Sequence, residues 1–386
     1  MNTQVSADRI HIGFFGLRNA GKSSVVNALT GQALSLVSDF KGTTTDPVKK
    51  AMELLPLGPV VIIDTPGIDD EGELGALRVR RAYDTLNVID IAVLVTQNTE
   101  LLSEETALLK KIEQKNIPYV VVYNKSDIIK HTATPAVSAK TGEGIYELKE
   151  TIAKLIKPQS QDKKIVGDLI NKGDTVVLVT PIDVSAPKGR LILPQVQTIR
   201  DILDSNAVAL TTQVQTLDAT LKNLKTPPKL VVCDSQVFGA VDKIVPKNIP
   251  LTSFSILFAR YKGELFNAVN GANKLDSLND GDKVLISEGC THHRQCEDIG
   301  TVKLPDWIKK YTNKNIEFEF TSGGEFPEDL DGYALVIHCG GCMLTPKQIK
   351  YRAGIAADRQ VPFTNYGIAI AKMHGILERS IEIFTK

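Results

Sequence analysis

The stretch Gly16-Leu17-Arg18-Asn19-Ala20-Gly21-Lys22-Ser23 has the spacing G-x-x-x-x-G-K-S and follows an apolar run from Ile10 to Phe15. Glycines at these places let the backbone curl, so that several N–H groups converge on one anion. A helix expected from Lys22 to Leu29 adds the positive end of its dipole. Lys22 supplies a point charge for β- and γ-phosphates, and the Ser23 hydroxyl is placed to hold Mg²⁺. Gly16, Asn19, Ala20, Gly21 and Ser24 complete the expected phosphate cradle. A second apolar run, Pro59 to Asp64, ends in a carboxylate suited to Mg²⁺, through a water. In Thr65-Pro66-Gly67, the glycine offers an N–H to the γ-phosphate with no Cβ in the way. Between these lies Gly42-Thr43-Thr44-Thr45-Asp46-Pro47, a loop able to bring the Thr44 hydroxyl to Mg²⁺. After the strand-like run Tyr119 to Tyr123 comes Asn124-Lys125-Ser126-Asp127. A carboxylate at Asp127 accepts from the ring N–H and the exocyclic amine of guanine, a pair that adenine lacks. Leaving buried polar groups unpaired is an efficient way to reject the wrong base. Ser138-Ala139-Lys140 follows another short strand and closes a base pocket. Five short motifs in this order read as a GTP site, with Lys22, Thr44, Asp64 and Gly67 at the reacting phosphate.

Residues 8 to about 157 therefore resemble the translation-factor-type GTPases, and within them the branch of the tRNA-modification GTPase and Era. The narrower resemblance rests on Asn19 in G-x-x-N-x-G-K-S and on G-T-T-x-D at residues 42–46. It implies GTP hydrolysis to GDP and phosphate, with Asn19 as a ligand for K⁺ in place of an arginine finger. Ile68 follows Gly67, and an apolar residue cannot orient the attacking water, so charge stabilisation must come from elsewhere.

At 386 residues the chain is long for one domain. A polar stretch with a proline, Lys157 to Lys164, follows a helix-like segment and sets a first boundary. The division expected is 1–160, 161–252 and 253–386. Forty-five basic and 45 acidic side chains balance, which argues against broad nucleic-acid binding. Apolar runs fall short of the roughly eighteen residues that span a bilayer, and the first eight residues lack a signal-peptide pattern. Five cysteines, odd and sparse, fit a reducing compartment. The expectation is a cytoplasmic chain acting without membrane or nucleic acid.

Beyond the first boundary, strand-like runs at Thr175–Thr180, 207–210 and Leu230–Asp234 alternate with helix-like ones at Gln195–Leu203 and 214–224. That alternation implies a parallel sheet. It carries no catalytic spacing, and Cys233 reads as core. The segment from 253 offers a helical run Phe254–Phe266, a strand Lys283–Gly289, a helix Pro305–Tyr311 with Trp307, strands Ile316–Phe320 and Tyr333–His338, and a helical run Gly367–Ile381. The fold class is α/β: a P-loop GTPase domain followed by two further small α/β domains with mainly parallel sheets.

Two of those strands end in chemistry. Cys290-Thr291-His292-His293 follows one, and His338-Cys339-Gly340-Gly341-Cys342 continues the other. Loops at the carboxyl ends of strands in one sheet can converge on one site. Three chemistries compete: a structural Zn²⁺ site, a redox dithiol, and an iron–sulfur cluster on three cysteines with an exchangeable fourth ligand.

Taken with the first domain, C-x-H followed by H-C-x-x-C resembles the FeFe-hydrogenase maturation GTPases along essentially the whole chain. The resemblance implies a 4Fe–4S cluster on Cys290, Cys339 and Cys342, with His292 or Glu297 as fourth ligand. Cys296 stands outside the family motif; His293 and His338 are either donors to the site or packing residues. It also implies a transient di-iron subcluster precursor, two radical-SAM maturases and the apo FeFe-hydrogenase as partners, and a homodimer formed by the middle domain. The competing reading is an RNA- or ribosome-associated regulatory GTPase with a zinc or redox C-terminal domain, for which neutral charge and sparse aromatics are poor support.

Overall fold

The structure, a computed structural model, describes residues 9–31, 47–155, 163–182, 191–289, 299–323 and 326–385. The chain divides into two compact units, Met1–Gln161 and Asp162–Lys386.

The first unit runs β1 (Ile10–Phe15), α1 (Lys22–Thr30), β2 (Val48–Leu54), β3 (Gly58–Asp64), α2 (Gly72–Thr85), β4 (Ile91–Thr96), α3 (Ser103–Gln114), β5 (Tyr119–Tyr123) and α4 (Ile145–Leu155). Its five-stranded sheet has the order β2-β3-β1-β4-β5, parallel except for β2 against β3. The central strands are apolar throughout because both faces are covered. Ile12, Phe14, Ile62, Val93 and Val95 pack with α1 and α4 residues such as Leu29 and Leu148. Phe15, Ile63, Ala92 and Leu94 pack on the other face with Leu86, Leu108 and Ile112. Parallel pairing puts the carboxyl ends of β1, β3 and β5 on one edge, and Phe14 lies opposite Asp64 in the register. The described motifs that follow these strands, Gly16–Ser23, Asp64–Gly67 and Asn124–Asp127, leave from that edge.

The second unit holds two all-parallel four-stranded sheets. The first is built by β6 (Thr175–Val179), α5 (Leu193–Asp204), β7 (Val208–Thr212), α6 (Val214–Asn223), β8 (Leu230–Cys233), α7 (Phe238–Ile244) and β9 (Leu251–Ser253), in the order β7-β6-β8-β9. There follow α8 (Phe254–Lys262) and α9 (Leu265–Ala272). The second sheet comes from β10 (Lys283–Ser287), α10 (Leu304–Thr312), β11 (Glu317–Thr321), β12 (Tyr333–His338), α11 (Pro346–Asp358) and β13 (Phe363–Asn365), in the order β11-β10-β12-β13; α12 (Tyr366–Met373) and α13 (Leu377–Ile381) close the unit.

One core joins both halves of this unit. Val177 and Cys233 of the first sheet share it with Ile256 and Ala259 of α8, Ala268 of α9, and Ile368 and Ala371 of α12. The break expected at 252/253 falls inside β9. Ser253, the last residue of that strand, accepts the Ile256 N–H at 3.3 Å and caps α8, so the chain passes from strand to helix without a linker. Each of two expected helical runs is split by a glycine in the left-handed region. Gly263 (φ 88°) separates α8 from α9, and Gly375 (φ 68°) separates α12 from α13.

Candidate nucleotide and thiol sites

The phosphate loop is shaped by what cannot be there. Gly16 has φ 146°, and a Cβ on it would sit 2.1 Å from the Val95 carbonyl oxygen. Gly21 has φ 88°, and its Cβ would sit 2.2 Å from Asn124 Nδ2. Asn19, exposed, holds φ 59°, a conformation asparagine tolerates. Lys22 Nζ turns back into the loop and donates to the carbonyls of Gly16 at 3.0 Å and Leu17 at 2.8 Å. Burial pulls its pKa down, opposed by the carboxylate of Asp64.

Ser23 Oγ donates to Asp64 Oδ2 at 2.6 Å. The other oxygen, Asp64 Oδ1, is buried with no hydrogen-bond partner among the described residues. Burial raises the Asp64 pKa, against the Ser23 hydrogen bond. A buried carboxylate oxygen left over beside a hydroxyl is a donor set of the hard, oxygen-only kind that Mg²⁺ takes. The chain after Asp64 is pinned to the loop: Thr65 Oγ1 donates to the Phe14 carbonyl at 2.7 Å, and the Ile68 N–H to that of Gly16 at 3.3 Å. Ile68 is buried in the core under the sheet. A cavity of about 360 Å³ opens here, with Arg18, Asp64, Gly67, Asp70 and Arg78 in its wall.

At the base end, Asn124 bridges two loops. Its Nδ2 donates to the Ala20 carbonyl at 3.0 Å and its Oδ1 accepts from the Ala139 N–H at 3.2 Å. Ser138 Oγ donates to Asp127 Oδ1 at 2.8 Å, which orients the carboxylate expected to read guanine. Lys125, at φ 67°, hydrogen-bonds Gln97, while Ser24 and Lys140 are exposed.

The thiol site lies at the carboxyl ends of β10 and β12, adjacent strands in which Ser287 pairs with His338. Cys339 Sγ accepts two backbone hydrogen bonds, from Gly289 N–H at 3.0 Å and from Gly341 N–H at 3.4 Å. Burial pushes this thiol up to about 11, and these two donors pull the other way. Burial also raises Cys342, opposed by the charge of Lys262, a buried lysine of α8 that donates to the Leu344 carbonyl. His338, buried, donates from Nδ1 to the Cys339 carbonyl at 2.7 Å and accepts at Nε2 from Arg352 at 2.9 Å. Burial and that guanidinium take its pKa down to about 3, so the ring is neutral. Arg352, itself buried, also donates to Ser287 Oγ at 3.2 Å and to the Gly323 carbonyl at 2.7 Å.

Cys290, His292, His293, Cys296, Glu297 and Thr44 lie outside the described residues. Among the described residues, no three His, Cys, Asp or Glu side chains cluster for a metal ion. Cys233 is wholly buried on β8, Trp307 is half-buried on α10, and Lys283 is exposed at the far end of β10, paired with Glu319 at 3.5 Å. No described helix is long and apolar enough to cross a membrane.

Comparison with known proteins adds the following. Residues 165–263 match the hydrogen maturase F dimerization domain, and residues 266–383 match the hydrogen maturase F tetramerization domain. Together these spans exceed half of the 386 residues. The chain belongs to the hydrogen maturase F family. Residues 11–125 of this maturase F chain match the 50S ribosome-binding GTPase family. The tRNA modification GTPase MnmE of Legionella pneumophila (strain Corby) is 37% identical over 153 residues, 36% of this chain and 33% of that protein. The one from Neisseria gonorrhoeae (strain NCCP11945) is 30% identical over 153 residues, 37% of this chain and 34% of its own. The chain thus spans about a third of the length of these curated relatives. Among solved structures, a point variant of Aquifex aeolicus Era bound to GDP·AlF4⁻ is 20% identical with TM-score 0.33, covering 52% of this chain and 91% of its own. The G domain of the T. maritima FeoB iron transporter is 23% identical with TM-score 0.31, covering 39% and 99%. No conclusion rests on these two likenesses.

Four residues of the maturase F chain escaped the sequence reading. Arg18, Asp69, Lys262 and Arg352 carry no motif, and their partners are distant in sequence. The one available signal was the doubled acid Asp69-Asp70 just past Gly67, opposite an arginine inside the phosphate loop.

Proposed function

We propose that this chain is a GTP-hydrolysing carrier that holds a 4Fe–4S cluster on Cys290, Cys339 and Cys342. On this reading it assembles or transfers the di-iron precursor of the H-cluster to apo FeFe-hydrogenase. The observation that carries the second half is the Gly289 N–H on Cys339 Sγ at 3.0 Å. Gly289, the last described residue before Cys290 in the sequence, touches the sulfur of the C-x-x-C pair, which supports this reading. Paired N–H donors also favour the thiolate over the thiol, which is the form that binds iron.

Each nucleotide residue has a task in the geometry described. Lys22 leaves its two loop carbonyls for the β- and γ-phosphates. Ser23 and the unpartnered Asp64 oxygen hold Mg²⁺, which when bound neutralises phosphate charge. Asp127, oriented by Ser138, reads guanine, and Asn124 fixes the base loop to the phosphate loop. Buried Ile68 orients no water, so the charge that builds on the γ-phosphate needs another partner; an exposed Asn19 is available to K⁺ there. At the other site the cluster supplies an attachment point for the di-iron cargo, while Cys339 and Cys342 grip it from a loop that Gly341, at φ 62°, allows to close. Residues 165–263 and 266–383 carry the homo-oligomer, and two radical-SAM maturases supply the cargo.

Anaerobic reconstitution with iron and sulfide, followed by EPR, tests the reading together with a GTPase assay. Lys22→Ala is expected to abolish hydrolysis and keep the cluster signal; Cys339→Ser is expected to do the reverse. Wild-type protein that stays colourless and takes up only zinc would overturn the carrier assignment.

A further inference from the structure

Arg18 is the third residue of the phosphate loop, and nothing above uses it. Its partners all come from the segment after β3. Its backbone N–H donates to Asp69 Oδ1 at 2.7 Å. Its Nε lies 3.2 Å from Asp70 Oδ1 and 3.7 Å from Asp69 Oδ2. Arg78 of α2 reaches the same Asp70 at 3.5 Å. A Cβ built on Gly67 would fall 2.6 Å from Arg18 Cγ, so the arginine stem lies over the glycine expected to offer its N–H to the γ-phosphate. Arg18, Gly67 and Asp64 share the wall of one cavity.

The energies make this an exchangeable contact. The Arg18 side chain is 59% exposed although Asp70 is only 8% exposed, and a pair with an exposed member contributes little. A γ-phosphate presents several anionic oxygens to the planar guanidinium fork, a better match than one carboxylate oxygen at Nε. Ile68, buried, supplies no polar group at the reacting end, so Arg18 acts beside a monovalent ion at Asn19 and not instead of it.

We propose that Arg18 is a catalytic residue that acts on the γ-phosphate in cis, and that Asp69 and Asp70 hold it beside Gly67 until nucleotide arrives. This deepens the GTPase reading and rests on it. In the reaction a water oxygen bonds to the γ-phosphorus and the bond from phosphorus to the β–γ bridging oxygen breaks. The electron pair of that bond leaves on GDP, and the water proton passes to phosphate or solvent. Negative charge grows on the bridging and equatorial oxygens, and the Arg18 guanidinium offsets it. Its departure from Asp69 and Asp70 also frees the start of α2, which makes this pair of contacts a nucleotide-sensitive two-state element.

The test uses the full chain in KCl with Mg²⁺. Arg18→Ala is expected to lower kcat for GTP roughly 100-fold, approaching the range that removal of such an arginine costs. Its GDP affinity should stay within about twofold, since GDP lacks the group Arg18 serves. Arg18→Lys should recover only part of kcat, because an ammonium cannot fork. GDP with aluminium fluoride should bind tightly to wild type and lose that gain in Arg18→Ala, a readout that a merely structural arginine would not move. Asp69→Asn, which weakens the resting hold on Arg18, should tighten GTP binding relative to GDP. Arg18→Ala turning over at the wild-type rate, or losing GDP and GTP binding equally, overturns the proposal. Wild-type protein that binds GDP yet hydrolyses no GTP overturns the GTPase reading itself and this proposal with it.

Discussion

Replacing Asn124 by alanine should unfasten the nucleotide unit before any nucleotide is added. The side chain is 2% exposed and makes two hydrogen bonds, to the Ala20 carbonyl at 3.0 Å and from the Ala139 N–H at 3.2 Å. Alanine removes both and leaves two backbone groups without partners. An orphaned buried polar group costs about 1–3 kcal/mol. Ala20 is 1% exposed, which puts its carbonyl toward the upper part of that range. Ala139 is half-buried, so water recovers part of its loss. The sum is about 2–4 kcal/mol, a sizeable share of the roughly 5–15 kcal/mol that keeps a domain folded. Hydrogen exchange read by mass spectrometry reports on this unit alone. Peptides spanning 9–31 and 119–155 should exchange roughly 30- to 900-fold faster in the variant, while those from 163 onward should not change. Asn124→Asp keeps the shape and the acceptor for Ala139 but turns the donor at Ala20 into a second acceptor, so it should destabilise at neutral pH as much or more. An Asn124→Ala protein with unchanged protection would refute the bridging argument, because then neither bond holds the loops.

Three further outcomes follow from the same structure. Burial depresses the His11 pKa, against the raising effect of Asp90 and the hydrogen bond to the Arg9 carbonyl. The unfolded chain therefore binds the proton more readily, so stability is full above about pH 6.5 and falls as pH drops below it, by at most about 1.4 kcal/mol per pH unit; thermal melts across pH 5–8 should flatten in His11→Gln. Gly271→Ala would press a Cβ to 2.1 Å from the Phe363 carbonyl oxygen, backbone on backbone, between α9 and β13; urea titration followed by the fluorescence of the single tryptophan, Trp307, should show a loss of about 1–3 kcal/mol. Arg379 of α13 donates to Asp242 and to the carbonyls of Val245, Pro246 and Ile249; Arg379→Met should cost about 2–4 kcal/mol and open residues 377–385 to exchange.

Much of this was written locally in the chain, and the pattern of success has a cause. Strands made of unbroken apolar runs are easily read, so β5 and β12 emerge with their observed ends, Tyr119–Tyr123 and Tyr333–His338. Motifs that follow such strands are then placed by parallel pairing alone, which is why Lys22, Asp64 and Asn124 meet. Short or half-exposed elements were not legible. β13 spans only Phe363–Asn365, too few residues for any period to show, and β2, antiparallel at the sheet edge, carries exposed Lys49 and Lys50. The helix splits at Gly263 and Gly375 were hidden because apolar residues continue on both sides. The break expected at 252/253 is not a linker, because one core runs through it. Ile256 belongs to the same cluster as Val177 and Ile368.

Both candidate sites obey one rule of construction, and that rule explains what each sequence motif could not say by itself. In a parallel sheet the carboxyl ends of neighbouring strands gather on one edge, where the loops are free to carry chemistry. The strand delivers the residue; a neighbour reached across the sheet decides its state. Asp64 is delivered by β3, but the Ser23 hydroxyl and its own burial determine which oxygen is left for a cation. Cys339 is delivered by β12; burial raises its thiol, and the Gly289 N–H just past β10 pulls the other way. The His338 ring before it is held neutral by burial and by Arg352, fourteen residues downstream on α11. A spacing pattern names the atoms that could react. The strand register, Phe14 against Asp64 in one sheet and Ser287 against His338 in another, determines which of them face each other.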